Sequence, residues 1–508
     1  MHGKKWCVYN KNKMHFQEEK MENLKFYVDQ NAPKTRFDHY WEKCVGACHA
    51  YTALREDYRM MLRKAKKDLG FQYVRFHGLF NDQMSVVREV EPGKYEYNFV
   101  NIDNILDFLL SIDMKPFLEL SFMPTPFASD DQTCFYYKGN VTMPKSFELW
   151  DGLIVELLKH LESRYGMEEL EKWFFEVWNE PDLDFFFAGS QEDYFLLYEH
   201  TARAVKSVGA NLRTGGPATA NNEWIPDFIS YCEKNSVPLD FISTHHYPSD
   251  DPNWNADMHL DNFFGEEVSI NSGEIDRRGL LTKMVRIAKH EAGNLPLYYT
   301  EWNTSANEGD EFHDTPYSSA LVTKTLIDNY GYVEAYSFWT FSDIFEEHGQ
   351  VPGEFRGGFG LQTIHGIPKP VYRAFELMHQ LGEERFPKVE EQGHIGICPV
   401  MDKDGKLAIL TYNQEMIGKP AAEEKVEIHI KNATGTKALI QRIDDTHANA
   451  KKQWEEMGCP TYPTPAQVEE LKEASELKTE ELPVKVEGEE MVLEFNLPAY
   501  GVALIKLI

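Results

Sequence analysis

Residues 172–181 read KWFFEVWNEP, and residues 295–303 read LPLYYTEWN. Each stretch is an apolar, aromatic-rich run that leads to one glutamate, Glu180 in the first and Glu301 in the second. Apolar runs of this length, bounded by turn signals, are typical of fully buried strands. A carboxylate at the carboxyl end of a buried parallel strand lies where enzymes with alternating strands and helices carry out their chemistry. Two such carboxylates are what glycosidic bond cleavage requires, although a single buried glutamate is as often an ion-paired structural residue.

The two runs belong to a longer alternation of strand-like and helix-like segments. Eight strands are predicted, at residues 43–49, 73–77, 115–122, 173–180, 212–217, 241–247, 297–303 and 334–343. Each precedes an amphipathic helix, at residues 54–69, 100–111, 148–164, 191–208, 223–235, 279–291, 317–329 and 372–381. Because crossovers between parallel strands are right-handed, this order predicts an α/β fold, a (β/α)8 TIM barrel over residues 41–382. A doubly wound open sheet is the alternative, but the glycine-rich phosphate loop expected of it is missing from the sequence.

The segments outside the predicted barrel show a different sequence pattern. Short β-like runs at residues 406–412, 425–430, 491–495 and 502–508 predict a β-sandwich domain, formed by residues 21–40 and 383–508. Residues 463–481 are acidic and predict a helical insertion in that domain. Residues 1–20 are polar and charged, and predict a disordered leader without a secretory signal.

Composition narrows the classes of partner. The 508 residues carry a formal net charge of −30, which disfavours nucleic acid and anionic membrane surfaces, since both need clustered lysine and arginine. No run approaches the ~20 apolar residues of a membrane span. Seven scattered cysteines do not form a disulfide framework or a zinc pattern, so we expect free thiols and a cytoplasmic protein without a metal or cofactor. The 13% aromatic content suits a protein that stacks rings on sugars.

The predicted barrel places the two glutamates on opposite sides of its mouth, at the ends of strands four and seven. Retaining glycosidases hold their carboxyl groups about 5–5.5 Å apart and inverting ones about 6.5–9.5 Å, and the sequence is compatible with either. Tyr247 lies on the neighbouring sixth strand and is expected to hydrogen-bond Glu301, while Asn179 is placed to donate to a sugar hydroxyl. Further rings are predicted at other strand ends, namely His49, His77, Phe122, His245 and Trp339.

Several segments together resemble one family of enzymes. They are KCVGACHA at 43–50, ALREDY at 53–58, RFHGLF at 75–80, FFEVWNEPD at 174–182, THHYP at 244–248, YYTEWN at 298–303, FWTFSDIFEE at 338–347 and GGFGL at 357–361. WNEP with a later glutamate resembles clan A glycoside hydrolases, and the whole set is similar to glycoside hydrolase family 39, the β-xylosidases. The resemblance spans roughly residues 40–380, and the β-rich tail suits the family's accessory sandwich.

The resemblance implies a retaining mechanism, with Glu180 as acid/base and Glu301 as nucleophile. It implies an exo-acting β-xylosidase that removes xylose from the non-reducing ends of short xylooligosaccharides, without a cofactor and possibly as a homotetramer. The residues expected to bind the sugar are His49, Phe122, Asn179, His245, Tyr247, Trp339, Glu346 and Glu347.

Other functions remain compatible with the sequence. The same family includes α-L-iduronidases, whose uronate needs a cation, and Arg356 after strand eight is a candidate for that role. Another β-glycosidase of the clan is a further alternative, and so is a sugar-binding barrel without catalysis. The sequence alone leaves the oligosaccharide length, the aglycone and the oligomeric state open.

Overall fold

Eight parallel strands close into a barrel in the computed structural model, which describes residues 23–249 and 277–508. The barrel strands are Cys44–His49, Tyr73–His77, Lys115–Leu120, Phe174–Val177, Arg213–Thr219, Phe241–His245, Leu297–Trp302 and Ala335–Phe338. The circle closes where Phe338 of the last strand pairs with Val45 of the first. The predicted (β/α)8 fold is confirmed. The leader predicted for residues 1–20 lies outside the described residues.

A helix lies between successive barrel strands or, for the last, after the eighth strand. These helices are Glu56–Leu69, Val100–Ser111, Phe147–Tyr165, Gln191–Val208, Ile225–Asn235, Leu280–Ala292, Pro316–Asp328 and Pro370–His379, with a short extra turn at Met167–Leu170. The first helix buries Tyr58, Leu62, Ala65 and Leu69, a spacing of three and four residues that places one face against the barrel. It ends at Gly70, whose φ of 79° belongs to the left-handed region that favours glycine. None of the helices in the described ranges is long and apolar enough to cross a bilayer.

The barrel interior is layered. Its lowest layer is an aromatic plug, formed by Cys44, Tyr73, Phe117, Phe174, Phe241, Tyr298 and Ala335. Side chains alternate along a strand, so the inward residues two positions later form the next layer. That layer is charged and polar, with Arg75, Glu119, Glu176 and Thr300 buried in contact with one another. The mouth of the barrel therefore rests on a buried charged layer above an aromatic one.

Five strands end earlier than the sequence predicts. They end at Leu120, Val177, His245, Trp302 and Phe338, although the predicted strands continue to residues 122, 180, 247, 303 and 343. At the fourth strand the reason is backbone geometry, because Trp178 has a φ of 70° and cannot continue an extended strand. Several of the predicted site residues therefore lie in the loops that follow the strands.

The accessory domain contains two sheets. In spatial order, the first consists of Leu24–Asp29, Glu424–Lys431, Glu490–Leu497 and Val484–Glu487. The second consists of Thr35–Arg36, Leu381–Arg385, Ile395–Asp402, Leu407–Asn413, Val502–Leu507, Ala438–Ile443 and Thr479–Leu482. A shared apolar core that includes Phe26, Ile428 and Ile505 joins the two.

The helical part of the acidic insertion begins earlier and ends earlier than the predicted residues 463–481. Two helices, Ala450–Glu456 and Pro465–Ala474, form a small core with the loop after barrel strand eight. The helical prediction for 463–481 is wrong beyond residue 474, because Thr479–Leu482 pairs with Ala438–Ile443 as an edge strand and buries Leu482. A strand partner distant in the chain overrides the local helical preference there.

Candidate active site

Glu301 enters the barrel mouth because strand seven contains one extra residue. His245 pairs with Glu301 while the preceding Thr244 pairs with Tyr299, so strand seven advances by two residues where strand six advances by one. Such a bulge turns the extra side chain out of the normal alternation. Consequently Thr300 and Glu301 both face the interior, whereas the next residue, Trp302, packs outside the barrel.

Glu180 is placed by an unusual backbone. Trp178 and Glu180 both have positive φ, 70° and 41°, a region that costs free energy for residues other than glycine and often marks functional sites. The Glu180 amide donates to the carbonyl of Ala218 on the next strand at 2.8 Å, and the Trp178 indole donates to the carbonyl of Phe186 at 2.8 Å. These bonds hold the loop so that Asn179 and Glu180 face the barrel axis.

The two glutamates lie within reach of one bound sugar. A carboxylate oxygen of Glu180, a ring nitrogen of His245 and a carboxylate oxygen of Glu301 all lie within 4.8 Å of one another. His245 Nδ1 is 2.9 Å from Glu180 Oε1 and 3.9 Å from Glu301 Oε2. The Tyr247 hydroxyl donates to Glu301 Oε1 at 2.5 Å. This spacing is close to that of a retaining pair and below the separation at which an inverting enzyme places a water between its carboxyl groups.

Arg75 connects the charged layer to the site above it. Its guanidinium donates to Glu176 at 2.6 Å, to Asn179 at 2.8 Å and to Glu301 at 3.3 Å, and lies 2.8 Å from Glu119. Burial opposes the charge, but the three carboxylates keep the pKa of Arg75 above its usual value. Arg75 therefore stays cationic. It orients Glu301, one of the two catalytic candidates, and Asn179, which precedes the other candidate, Glu180.

The environment of Glu301 contains opposing influences. Burial raises the pKa of the Glu301 carboxyl, and the charge of Glu180 adds to that rise. The Arg75 guanidinium acts in the opposite direction and favours the ionised form. Together with the Tyr247 hydroxyl, which donates to Glu301, it stabilises the negative charge that a nucleophile needs.

Glu346 and Glu347, after strand eight, occupy contrasting environments. His49 lies 3.0 Å from Glu346, and its hydrogen bond, together with Arg55 at 3.4 Å, lowers the pKa of that carboxyl. Burial and the neighbouring carboxylates raise the pKa of Glu347 well above its usual value. His77 lies 3.6 Å from Glu347. The Glu346 carboxylate is thus suited to accept hydrogen bonds from sugar hydroxyls, and the Glu347 carboxyl is suited to donate one.

Trp339 forms part of the floor beside the charged layer. Its ring lies 4.6 Å from that of His77, with the Arg75 guanidinium 5.9 Å from the ring centre. A methyl group on Gly46 would stand 2.4 Å from Trp339 Cε3, so only glycine fits beneath the indole. Phe122 is fully buried, packed 5.7 Å from Trp178 and 6.2 Å from His77, and its contacts are those of a supporting wall.

The sequence analysis did not identify several residues of the site. Arg75, Glu119 and Glu176 could have been found, since each is a charged residue at an inward position of an otherwise apolar strand. Tyr137 could not have been found from the sequence, because its position depends on a short hairpin formed by Thr133–Cys134 and Gly139–Asn140. This hairpin folds over the barrel mouth and stacks the Tyr137 ring on that of His49, with the ring centres 4.0 Å apart.

Arg356, the candidate cation for a uronate, points to the accessory domain. It donates to Thr461 at 3.4 Å, and its guanidinium lies 5.9 Å from the ring centre of Trp454. Both partners belong to the insertion that packs on this loop. The insertion therefore holds this side chain, and the role of Arg356 towards a uronate stays a prediction.

Two clusters within the described residues carry donor atoms at metal-binding spacing, Glu180–His245–Glu301 and His39–Glu42–His379. In each cluster the close approach is a carboxylate–histidine hydrogen bond, at 2.9 Å in the first and at 2.6 and 2.9 Å in the second. Hydrogen bonding accounts for both arrangements without an ion.

Comparison with known proteins gives a consistent result. Residues 24–491 match the model of glycosyl hydrolases family 39. A β-xylosidase of Caldicellulosiruptor saccharolyticus is 46% identical, over 91% of this chain and 94% of that protein. A β-xylosidase of Geobacillus stearothermophilus is 38% identical, over 87% of each. The crystal structure of a monomeric β-xylosidase from Caulobacter crescentus CB15 is 32% identical, with a TM-score of 0.81 over 95% of this chain and 99% of that one. With a barrel that brings two glutamates together above a buried arginine, this chain belongs to glycosyl hydrolase family 39.

Proposed function

We propose that the chain is a retaining, exo-acting β-xylosidase that removes xylose from the non-reducing ends of β-1,4-xylooligosaccharides. The observation that carries the proposal is the approach of the Glu180 and Glu301 carboxylates to within 4.8 Å, with His245 between them. Two relatives that match most of the chain are both named β-xylosidase.

Glu301 is the proposed nucleophile. Tyr247 and Arg75 hold its carboxylate, which attacks the anomeric carbon while Glu180 protonates the departing oxygen. The bond to the aglycone breaks and a glycosyl-enzyme forms. Glu180, now ionised, removes a proton from water, which attacks the same carbon and restores both glutamates. Asn179, fixed by Arg75, is placed to hydrogen-bond the hydroxyl next to the scissile bond.

The shape of the glycone side supports exo action. The Tyr136 amide donates to the Glu347 carbonyl at 2.7 Å, and Tyr137 stacks on His49. The hairpin that carries both tyrosines thus joins the loop after strand eight. A hairpin in this position would close the glycone end of the site, which would admit a terminal sugar and exclude a continuing chain.

The charges around the site support a neutral pentose. Glu346 and Glu347 line it, and Arg356, the proposed uronate partner, is bound to the insertion. Arg55 lies nearby but already pairs with Asp57 and Glu346. The ionised Glu346 would repel a uronate, and a uronate without a cationic partner would be an unpaired buried charge, which is costly.

The test is the ratio of kcat/KM for matched aryl glycosides. We expect β-xyloside to be preferred over β-glucoside, whose hydroxymethyl needs room, and over α-L-iduronide. Proton NMR should show β-xylose as the first product, which later mutarotates. A preference for the iduronide would overturn the substrate, initial α-xylose would overturn retention, and a chain with no activity on any of them would be a binding protein.

The setting of the enzyme is also proposed. All six cysteines within the described residues are free thiols, five of them buried, which supports a reducing cytoplasm. The homotetramer implied by the family resemblance stays a prediction, to be measured by light scattering after size-exclusion chromatography. The Caulobacter relative, which is described as monomeric, gives the contrasting expectation.

A further inference from the structure

We propose that Thr300 and Glu176 fix the proton on the far nitrogen of His245, and that His245 thereby keeps Glu180 protonated before each turnover. The proposal deepens the proposed function, because it rests on Glu180 as the acid/base. Thr300 and Glu176 are positioning residues: they lie below the sugar and act through His245.

The argument begins at Glu176, which can only accept. Arg75 donates to Glu176 Oε2 at 2.6 Å, so this carboxylate is ionised. Thr300 Oγ1 lies 2.8 Å from the other oxygen, Glu176 Oε1. A hydroxyl has one proton, and here it must be donated to Glu176. Towards every other neighbour the Thr300 oxygen is therefore an acceptor.

The next link is His245. Its Nε2 lies 3.1 Å from Thr300 Oγ1, and since that oxygen only accepts, Nε2 carries the hydrogen. In a neutral imidazole the other nitrogen is then a bare acceptor. Nδ1 faces Glu180 Oε1 at 2.9 Å. Two acceptors at that distance form a hydrogen bond only if Glu180 holds the proton.

His245 is neutral because of where it lies. It is fully buried, and burial lowers the pKa of its ring to about 4. The charged groups around it oppose one another. Glu301 and Glu176 favour a second proton, while Arg75 and His77 oppose it.

The relay acts in both half-reactions. Before glycosylation the Nδ1 lone pair accepts a hydrogen bond from protonated Glu180, which keeps the acid loaded. After Glu180 has given its proton to the leaving oxygen, the same lone pair faces a carboxylate. The contact between the Nδ1 lone pair and the Glu180 carboxylate disfavours the negative charge of Glu180. Glu180 is therefore a stronger base towards the attacking water.

The test is the pH profile of kcat/KM for Thr300→Val, with Thr300→Ser as the matched control. Valine keeps the shape of the side chain but removes the acceptor, so His245 is free to place its hydrogen on Nδ1 and donate to ionised Glu180. We expect the basic limb of the profile to move to lower pH by about one unit, since one charge-assisted hydrogen bond is of that size. KM should change little, and kcat should fall more for phenyl than for dinitrophenyl xyloside. Serine should restore the wild-type profile.

A second readout does not depend on the substrate. Nitrogen NMR of histidine-labelled protein should show the His245 signal, identified by its loss in His245→Asn, as the Nε2–H tautomer in the wild type and in Thr300→Ser. In Thr300→Val the Nδ1–H form should appear. An unchanged tautomer together with an unchanged basic limb would overturn the relay. A failure of the xyloside assignment would leave the NMR result intact, so the two proposals fail separately.

Discussion

At the scale of single residues, two chemically identical side chains differ because of their neighbours. Glu301 accepts from a tyrosine and an arginine, both of which favour its charge. Glu180 faces a buried neutral histidine, which favours its acid form. The same separation of roles by environment is the general rule for paired catalytic carboxyl groups.

The role of Glu301 predicts the behaviour of Glu301→Ala. Without the attacking carboxylate no glycosyl-enzyme forms, and kcat should fall by several orders of magnitude. Azide fits the space that the side chain leaves and should attack from the same face, which gives the α-glycosyl azide. Thermal unfolding of the variant serves as the control for folding. Near-wild-type activity in a folded variant would contradict the assignment.

Glu180→Ala should respond differently to the leaving group. Protonation matters only when the departing oxygen is basic, so dinitrophenyl xyloside should still glycosylate the enzyme quickly and the intermediate should accumulate. Azide should then restore turnover and give the β-glycosyl azide, with the configuration retained. The measurement is kcat across a series of aryl xylosides. Equal losses on good and poor leaving groups would reduce Glu180 to a binding residue.

At the scale of elements, sequence reasoning located the strands better than their ends. Apolar runs revealed all eight barrel strands, because burial on both faces leaves a strong pattern. The bulge at Thr300 and the left-handed turn at Trp178 left no such pattern, since both depend on how neighbouring strands pair. Those two backbone irregularities orient the catalytic candidates Glu301 and Glu180 towards the barrel mouth. Sequence therefore identified the glutamates, and tertiary structure alone explains their approach.

The contact between strands one and eight gives a test at this scale. Gly46→Ala would place a methyl group 2.4 Å from Trp339 Cε3 and 3.1 Å from the Phe338 carbonyl. The indole must shift, which we expect to cost about 1–3 kcal/mol of unfolding free energy and to lower kcat/KM at least tenfold.

The matched control is Gly152→Ala. That glycine lies within the helix Phe147–Tyr165, and its new methyl would meet only the Tyr97 hydroxyl, at 3.6 Å. Alanine favours a helix, so this variant should keep its activity and gain stability. Equal activity in the two variants would show that Trp339 does not need its present position.

At the scale of the whole molecule, the accessory domain shows what a single sequence hides. Two distant parts of the chain meet in one sheet, where Leu24–Asp29 pairs in parallel with Glu424–Lys431. The sequence analysis assigned residues 21–40 to the sandwich, but the register of strands some 400 residues apart is decided by packing. The same limit applies to the charged layer, in which residues of different strands become partners only after the barrel closes.

Burial of ionisable groups throughout the fold also predicts how stability depends on pH, and His246 offers the clearest case. It is fully buried, neither ring nitrogen has a hydrogen-bond partner among the described residues, and burial, with the charge of Arg277 adding, lowers its pKa to about 3. The unfolded chain has a histidine of pKa about 6.5, so between pH 6.5 and 3 it binds a proton that the folded chain does not.

Stability must therefore fall as the pH falls through that window, by about 1.4 kcal/mol per unit from this residue. His246→Gln removes the titration and keeps a neutral polar side chain. We expect the unfolding free energy of the wild type, relative to the variant, to be about 2 kcal/mol lower at pH 5 than at pH 7.5. Urea denaturation of both proteins at the two pH values measures this difference, and any packing effect of the substitution cancels between them. His245 and the buried carboxyl groups are common to both proteins and cancel as well. A difference that stays constant with pH would mean that His246 takes up its proton in the folded state, and with it that this part of the barrel admits water.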